Sequence, residues 1–248
     1  MRFAHARRVG LLLVAGALAL QGCNRDDPPA DQLEQAVTET VDEIEETPQP
    51  DGPYAPRNDC TRVAGASPFL ADIRSAVSAR DTEAFVALAA EDVKLDFGGG
   101  AGRDQLRAML ASDTAPLWAK LDELMTLGCA SDGDALITLP WYFAQDISAD
   151  PHTGMIVTGT GVPVRETAAE QAPIIAAVSW DVVELMDGGA GTSGFAHIRW
   201  QRRGAPASKP TVIEGYIDAT RLRSLIDYRL VGASRNGKWR IISLIAGD

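Results

Sequence analysis

The stretch GTGVPVRETAAEQAPIIAAVSWDVVEL, Gly159–Leu185, decides whether the second half of this chain carries chemistry or builds a small sheet. Its charged triplet Arg165-Glu166-Thr167 has the residue types of an acid–base pair. Neighbours on a strand point to opposite faces, however, so Arg165 and Glu166 do not converge on one substrate atom. The triplet therefore reads as the end of a strand and the turn that follows it. The chain after His152 continues in the same manner, as short apolar runs separated by Gly-rich turns.

Outward from that stretch the pattern changes. In the C-terminal segment IDYRLVGASRNGKWRIISLIAG, Asn236-Gly237 lies between two alternating runs, the strongest local signal for a hairpin. Upstream, Ser67 to Leu127 reads as helical. Phe69, Ile73 and Val77 share one face, Asp81 is placed to cap TEAFVALAA, and RDQLRAMLAS and APLWAKLDELMTLG form a further pair. EDVKLDFGGG is expected to be a short strand alternating Val93, Leu95 and Phe97, and DALITLPWYFAQDI a strand with Pro140 at an edge or bulge.

Val164-Arg165, Pro173–Ala177, Val182–Leu185, His197–Trp200 and Gly215-Tyr216-Ile217 follow one another in the order of the bacterial SH3-like domain, SH3b, which the chain resembles over Thr153 to Ser224. In that family a Val-Arg strand leads into a turn, and a Gly-Tyr-Ile/Val strand closes a small barrel. Trp180 departs from the family, standing at a turn where a small residue is common. The flanks, ARDTEAFVALAAEDVKLDFGGGAGRDQLRAML and NGKWRIISLIAGD, resemble the opening and closing parts of an NTF2-like fold. The expected class is α+β: an NTF2-like or simply helical α+β domain, 60–152 plus 225–248, with an SH3-like β-barrel, 153–224, inserted or appended. The SH3b resemblance implies cell-wall targeting and a contact surface of Trp180, Tyr216, Arg165, Arg199 and Trp200.

The first residues resemble a bacterial lipoprotein leader, 1–22. Arg2, Arg7 and Arg8 precede the apolar run Val9–Leu20, and Leu20-Gln21-Gly22-Cys23 resembles a lipobox that would place a diacylated Cys23 at the mature N-terminus. The apolar run is too short to cross a bilayer, so the chain is expected to be anchored to a membrane and to face the periplasm. Asn24 favours the outer membrane. Ordinary signal cleavage with an incidental cysteine is the competing reading. The two remaining cysteines, Cys60 and Cys129, read outside the cytoplasm as a disulfide, with a pair of buried thiols as the alternative.

The net charge of −11 is concentrated: Asn24 to Asp59 holds eleven acidic residues and two arginines, with repeated prolines. Residues 23–59 therefore read as a disordered acidic stalk, although Leu33, Val37, Val41 and Ile44 recur at helical spacing. The sign reverses downstream, where Arg199 to Arg240 holds ten Lys/Arg against Glu214, Asp218 and Asp227. Such a region either binds an anionic polymer of the envelope or is spent on pairing with the acidic helical part.

Catalytic and cofactor signatures are missing from the sequence. Asp96 to Gly100, DFGGG, lacks the companion motifs of a kinase, no P-loop or G-x-S-x-G occurs, and His152 and His197 show no ligand spacing with the cysteines. If the NTF2-like resemblance extends to a cone-shaped pocket, Asp92, Asp96 and Tyr142 are its acid–base candidates. The function expected from the sequence is non-catalytic binding or scaffolding near peptidoglycan, without cofactor, metal or nucleic-acid partner. An NTF2-like small-molecule binder or enzyme, and an adaptor for an envelope enzyme, are the alternatives.

Overall fold

Asp81 accepts a hydrogen bond from the Ala84 N–H at 2.9 Å and so starts the second of four helices among the described residues. The computed structural model describes residues 51–114, 117–133, 135–190, 193–203 and 211–247. The expected leader, Cys23 and the Leu33–Ile44 stripe lie outside them. The helices are α1 (Ala66–Ala79), α2 (Thr82–Leu88), α3 (Arg103–Leu110) and α4 (Leu117–Thr126). They cover one face of a five-stranded sheet of β1 (Ala89–Lys94), β12 (Lys238–Ile245), β11 (Arg229–Arg235), β3 (Leu136–Leu139) and β2 (Ala130–Ser131), in that spatial order. Strand β1 runs parallel to β12, and the other pairs are antiparallel.

Periodicity explains the packing. Phe69, Ile73 and Val77 of α1 are all buried against the sheet, and Phe69 stacks on Trp239 with ring centroids 5.7 Å apart. A Cβ at Gly232 would approach Phe69 Cε1 to 2.9 Å, so glycine lets α1 close onto β11. The hairpin joining β11 and β12 turns through Asn236 and Gly237, with φ of 54° and 74°. The strand expected to alternate as far as Phe97 is shorter. Val93 and Leu95 are buried, but the turn at Asp96, whose carboxylate accepts from the Gly100 N–H at 2.6 Å, leaves Phe97 58% exposed.

Cys60 and Cys129 form a disulfide. It ties the turn Asp59–Arg62 to the chain entering β2, beside backbone bonds from Asp59 N to Cys129 O and from Cys129 N to Arg57 O. Residues 51–59, expected to belong to the stalk, are part of the fold. Tyr54 and Ala55 are buried, and Tyr54 N donates to Trp180 O at 2.9 Å. Gly52 lies so close to the Ser179 carbonyl that no side chain fits.

The chain leaves the first sheet after β3 and returns at β11, where Leu230 stands opposite Leu139 and Ala233 opposite Leu136. Between them lies a second sheet: β10 (Leu222–Ser224), β4 (Gly154–Val157), β7 (Val182–Ala190), β8 (Phe195–Gln201), β9 (Val212–Asp218), β5 (Val162–Arg165) and β6 (Ile174–Val178), in spatial order. The expected closed barrel is not formed. Strand β6 pairs only with β5 and β10 only with β4, which leaves both as open edges. Instead of meeting β6, β10 docks on the helical layer.

That docking is ionic. Arg223 of β10 is 2% exposed, with Nε 3.1 Å from Glu123 of α4, Nη1 3.2 Å from Asp227, and Nη2 donating to Tyr228 O at 2.6 Å. Lys120 completes the network, 2.6 Å from Asp227 and 3.4 Å from Glu123. Without Arg223 the Tyr228 carbonyl loses its donor while Lys120 still bridges Glu123 and Asp227, so Arg223→Met is expected to lower stability by about 1–2 kcal/mol in urea unfolding. Breaking the disulfide as Cys60→Ala/Cys129→Ala frees a long loop, and the same assay is expected to show a loss of roughly 4 kcal/mol.

Candidate functional site

Alternation along β5, β8 and β9 sorts their side chains into two sets. Val164, Ala196, Ile198, Trp200, Ile213 and Ile217 turn into the core of the second sheet. Arg165, His197, Arg199, Glu214 and Tyr216 are left on the outer face. Register then brings them together: Arg165 is opposite Tyr216, Tyr216 opposite His197, and Glu214 opposite Arg199, itself opposite Glu184 of β7. The rings of His197 and Tyr216 stack at 4.7 Å with 15° between their planes. Arg199 Nε lies 2.9 Å from Glu214, and both remain about half exposed, where such a pair contributes about 0–1 kcal/mol. The result is a flat aromatic pair with a guanidinium on either side.

Three of the residues expected at the contact surface, Arg165, Tyr216 and Arg199, therefore share this face, and His197 joins them. His197 was legible only in retrospect, as the outward neighbour of Arg199 at a spacing of two. The two tryptophans are elsewhere. Trp200 is 6% exposed and its Nε1 donates to the buried Asp181 at 2.9 Å, so the surface role expected of it is replaced by a structural one. Asp181 also accepts from Arg203 at 2.6 Å, and Arg203 lies over the Tyr54 ring. Trp180 does occupy a turn, with φ of 41°, and packs partly buried beside Trp141 and Tyr142. Its carbonyl and N–H hold Tyr54 and Gly159.

A shallow groove of about 670 Å³ adjoins the outer face, lined by Gly159–Pro163, Arg165, Glu170, Phe195, Asp218 and Arg221 among others. One wall is the turn Ala219–Arg221, which Asp218 caps by accepting from both the N–H and the hydroxyl of Thr220, at 2.9 and 2.7 Å. Arg165 holds the other wall, donating from Nη1 to Ala172 O at 2.8 Å.

The acid–base candidates of the first lobe do not converge. Asp92 and Asp96 are exposed, whereas Tyr142 is buried, and desolvation raises its phenol above the ordinary range. The face of the first sheet toward the helices is filled by Phe85, Leu70, Ile73, Leu106 and Leu121. Among the described residues, no three of His, Cys, Asp or Glu come together as metal ligands. Much of the downstream positive charge is spent inside the fold, since Arg199, Arg203 and Arg223 face carboxylates and Arg229 lies over the Phe97 and Phe143 rings.

No protein-family model matches the chain, and no curated protein matches it. Among solved structures it is similar to an NTF2-like protein with a cystatin-like fold from Novosphingobium aromaticivorans. The identity is 12%, with 72% of this chain and 75% of that one covered and a TM-score of 0.26. It is also similar to a cystatin-like-fold protein of unknown function from Nostoc punctiforme, at 10% identity over 73% and 87% of the two chains, with a TM-score of 0.24. Both are known by their fold and not by an activity.

Hydrogen bonds from Thr220 hold the Asp218 carboxyl below its ordinary range. A depressed carboxylate contributes stability that is present above its unfolded pKa of about 4 and is lost as pH falls through the lower folded value. NMR titration is expected to show the Thr220 amide unchanged from pH 7 to 5 and shifting only below about pH 4. A midpoint at or above the ordinary aspartate value would contradict the capping role.

Proposed function

We propose that this is a non-catalytic binding protein of the cell envelope, an NTF2-like α+β lobe with an inserted SH3-like sheet whose outer face meets the ligand. The observation that carries this reading is the shared face of Arg165, Tyr216, His197 and Arg199 on three adjacent strands. A stacked ring pair offers a flat surface to a sugar, and guanidiniums offer forked donors to carboxylates. Peptidoglycan, a sugar polymer with carboxylate-bearing peptides, combines both. The SH3-like assignment is supported by the five diagnostic segments, which all fall on strands β5 to β9 of one sheet, with the Gly215-Tyr216-Ile217 strand beside Val164-Arg165.

On this reading Cys23 carries the lipid anchor, the folded part faces the periplasm from the outer membrane, and residues 24–50 act as spacer. Nucleic acid is not a partner of so acidic a chain. A second reading is favoured by the order helix, helix, strand, helix in the first lobe and by β12 closing beside β1, the arrangement that resembles NTF2-like proteins. There the α+β lobe itself binds a small molecule. Because Asp92, Asp96 and Tyr142 lie apart, that molecule is carried and not converted.

The test is co-sedimentation of the full chain, in detergent, with purified peptidoglycan sacculi. Retention at low salt is expected, falling at least fivefold in Tyr216→Ala and Arg199→Ala, with unchanged melting temperatures. Absence of retention, or indifference to both substitutions, sinks the outer-face reading. Co-purification with one envelope protein in place of the polymer favours the adaptor role.

A further inference from the structure

Five cations without a carboxylate partner gather on the first sheet. Along β12, Trp239 and Ile241 turn toward the helices, which places Lys238, Arg240 and Ile242 on the opposite face. Irregular pairing between β1 and β12, where Ala89 faces Ile241 and Lys94 faces Ser243, bows β1 away and opens a groove of about 710 Å³ between them. Lys94, Arg103, Arg235, Lys238 and Arg240 line it, with Glu91 and Asp92 on the β1 side. Ala90, Ala233 and Ile242 supply its apolar part.

What sets these cations apart is their grouping, since Arg57 and Arg165 also lack a carboxylate partner but lie over the Trp141 ring and on the Ala172 carbonyl. Elsewhere Arg80 pairs with Asp122, Arg107 with Glu83, Arg199 with Glu214, and Arg203 with Asp181. In the groove, Arg103 donates to the carbonyls of Ala87 and Ala89 and Arg240 to that of Trp239. Lys94, Arg235 and Lys238 have no acidic partner among the described residues. In a chain of net charge −11, carboxylates are abundant, yet only Glu91 and Asp92 line the groove against these five cations. Like charges held together at a concave surface focus a positive potential into it.

We propose that this groove binds an organic phosphate ester. Charge selects the class: five cations against Glu91 and Asp92 leave a formal excess of three, which a single carboxylate offsets only by one, whereas a phosphate monoester carries about −1.5 to −2 and a diphosphate more. Arg235 offers its whole fork to phosphate oxygens and Arg103 and Arg240 the N–H groups left over from their backbone bonds, the lysines add point charge, and the apolar residues accommodate the organic body. A volume of about 710 Å³ falls within the usual small-molecule range. The proposal is independent of the outer face of the second sheet, with which it shares no residue.

The experiment uses the full chain carrying Cys23→Ser, so that no acyl chain on that residue mediates lipid binding, with inorganic pyrophosphate as probe in titration calorimetry. Saturable binding at low salt is expected, weakened about tenfold or more by Arg235→Ser/Arg240→Ser, because charge-assisted bonds are lost. Arg74→Ser, which removes an exposed cation of α1 outside both surfaces, is expected to leave it unchanged. A parallel arm uses phosphatidylcholine vesicles with and without phosphatidylglycerol. Pyrophosphate binding without a groove-dependent vesicle response assigns a soluble phosphate ester. Phosphatidylglycerol-dependent retention that falls in the double variant assigns a lipid headgroup. If neither probe responds to the double variant, or Arg74→Ser weakens binding equally, the proposal is overturned.

Discussion

Strand β11 is hydrogen-bonded on both sides, to β12 and to β3, and the first lobe depends on that double pairing. Without β11, β3 and β2 would be separated from the strands on which α1 packs. The pairing also dictates how a whole second sheet is accommodated. Leu139, the last residue of β3, stands opposite Leu230 near the start of β11. The two ends of the insertion are thus held about 5 Å apart, the spacing of facing residues in an antiparallel pair. A large insertion is tolerated at such a point because its ends impose no stretch on the host sheet.

The ionic group around Arg223 sits close to this junction and does what strand pairing does not. Arg223 belongs to the inserted sheet, Lys120 and Glu123 to a helix of the host, and Asp227 to the connection leading back into β11. Four charges from three segments meet there, with Arg223 and Asp227 largely buried and Lys120 and Glu123 reaching solvent. The barrel remains open in part because β10 is engaged in this contact.

Charge is distributed with the same economy in the rest of the fold. A run of basic residues from Arg199 to Arg240 looks like one surface in the sequence, but its members separate by strand and by face. Arg199 and Arg203 balance acids around the second sheet, Arg223 is buried at the junction, and Arg235, Lys238 and Arg240 face the groove of the first. Two surfaces with different chemistry follow, an aromatic one with guanidiniums beside it and a mainly cationic one.

The elements legible in the sequence were those written in local terms. Asp81 as a cap, the face of Phe69, Ile73 and Val77, the Asn236-Gly237 turn and the cysteine pair each depend on nearby spacing or on a count of two. The paired face of Arg165, Tyr216 and Arg199 was half legible, since alternation sets which residues point outward on each strand. What tertiary structure alone decided was long-range. The return of β11 to β3, the burial of Trp200 on Asp181, the early docking of Tyr54 and the groove between β1 and β12 all join residues distant in sequence. Local propensity carries no record of such pairings, because they are selected by which apolar faces can be buried together and which charges are then left without partners.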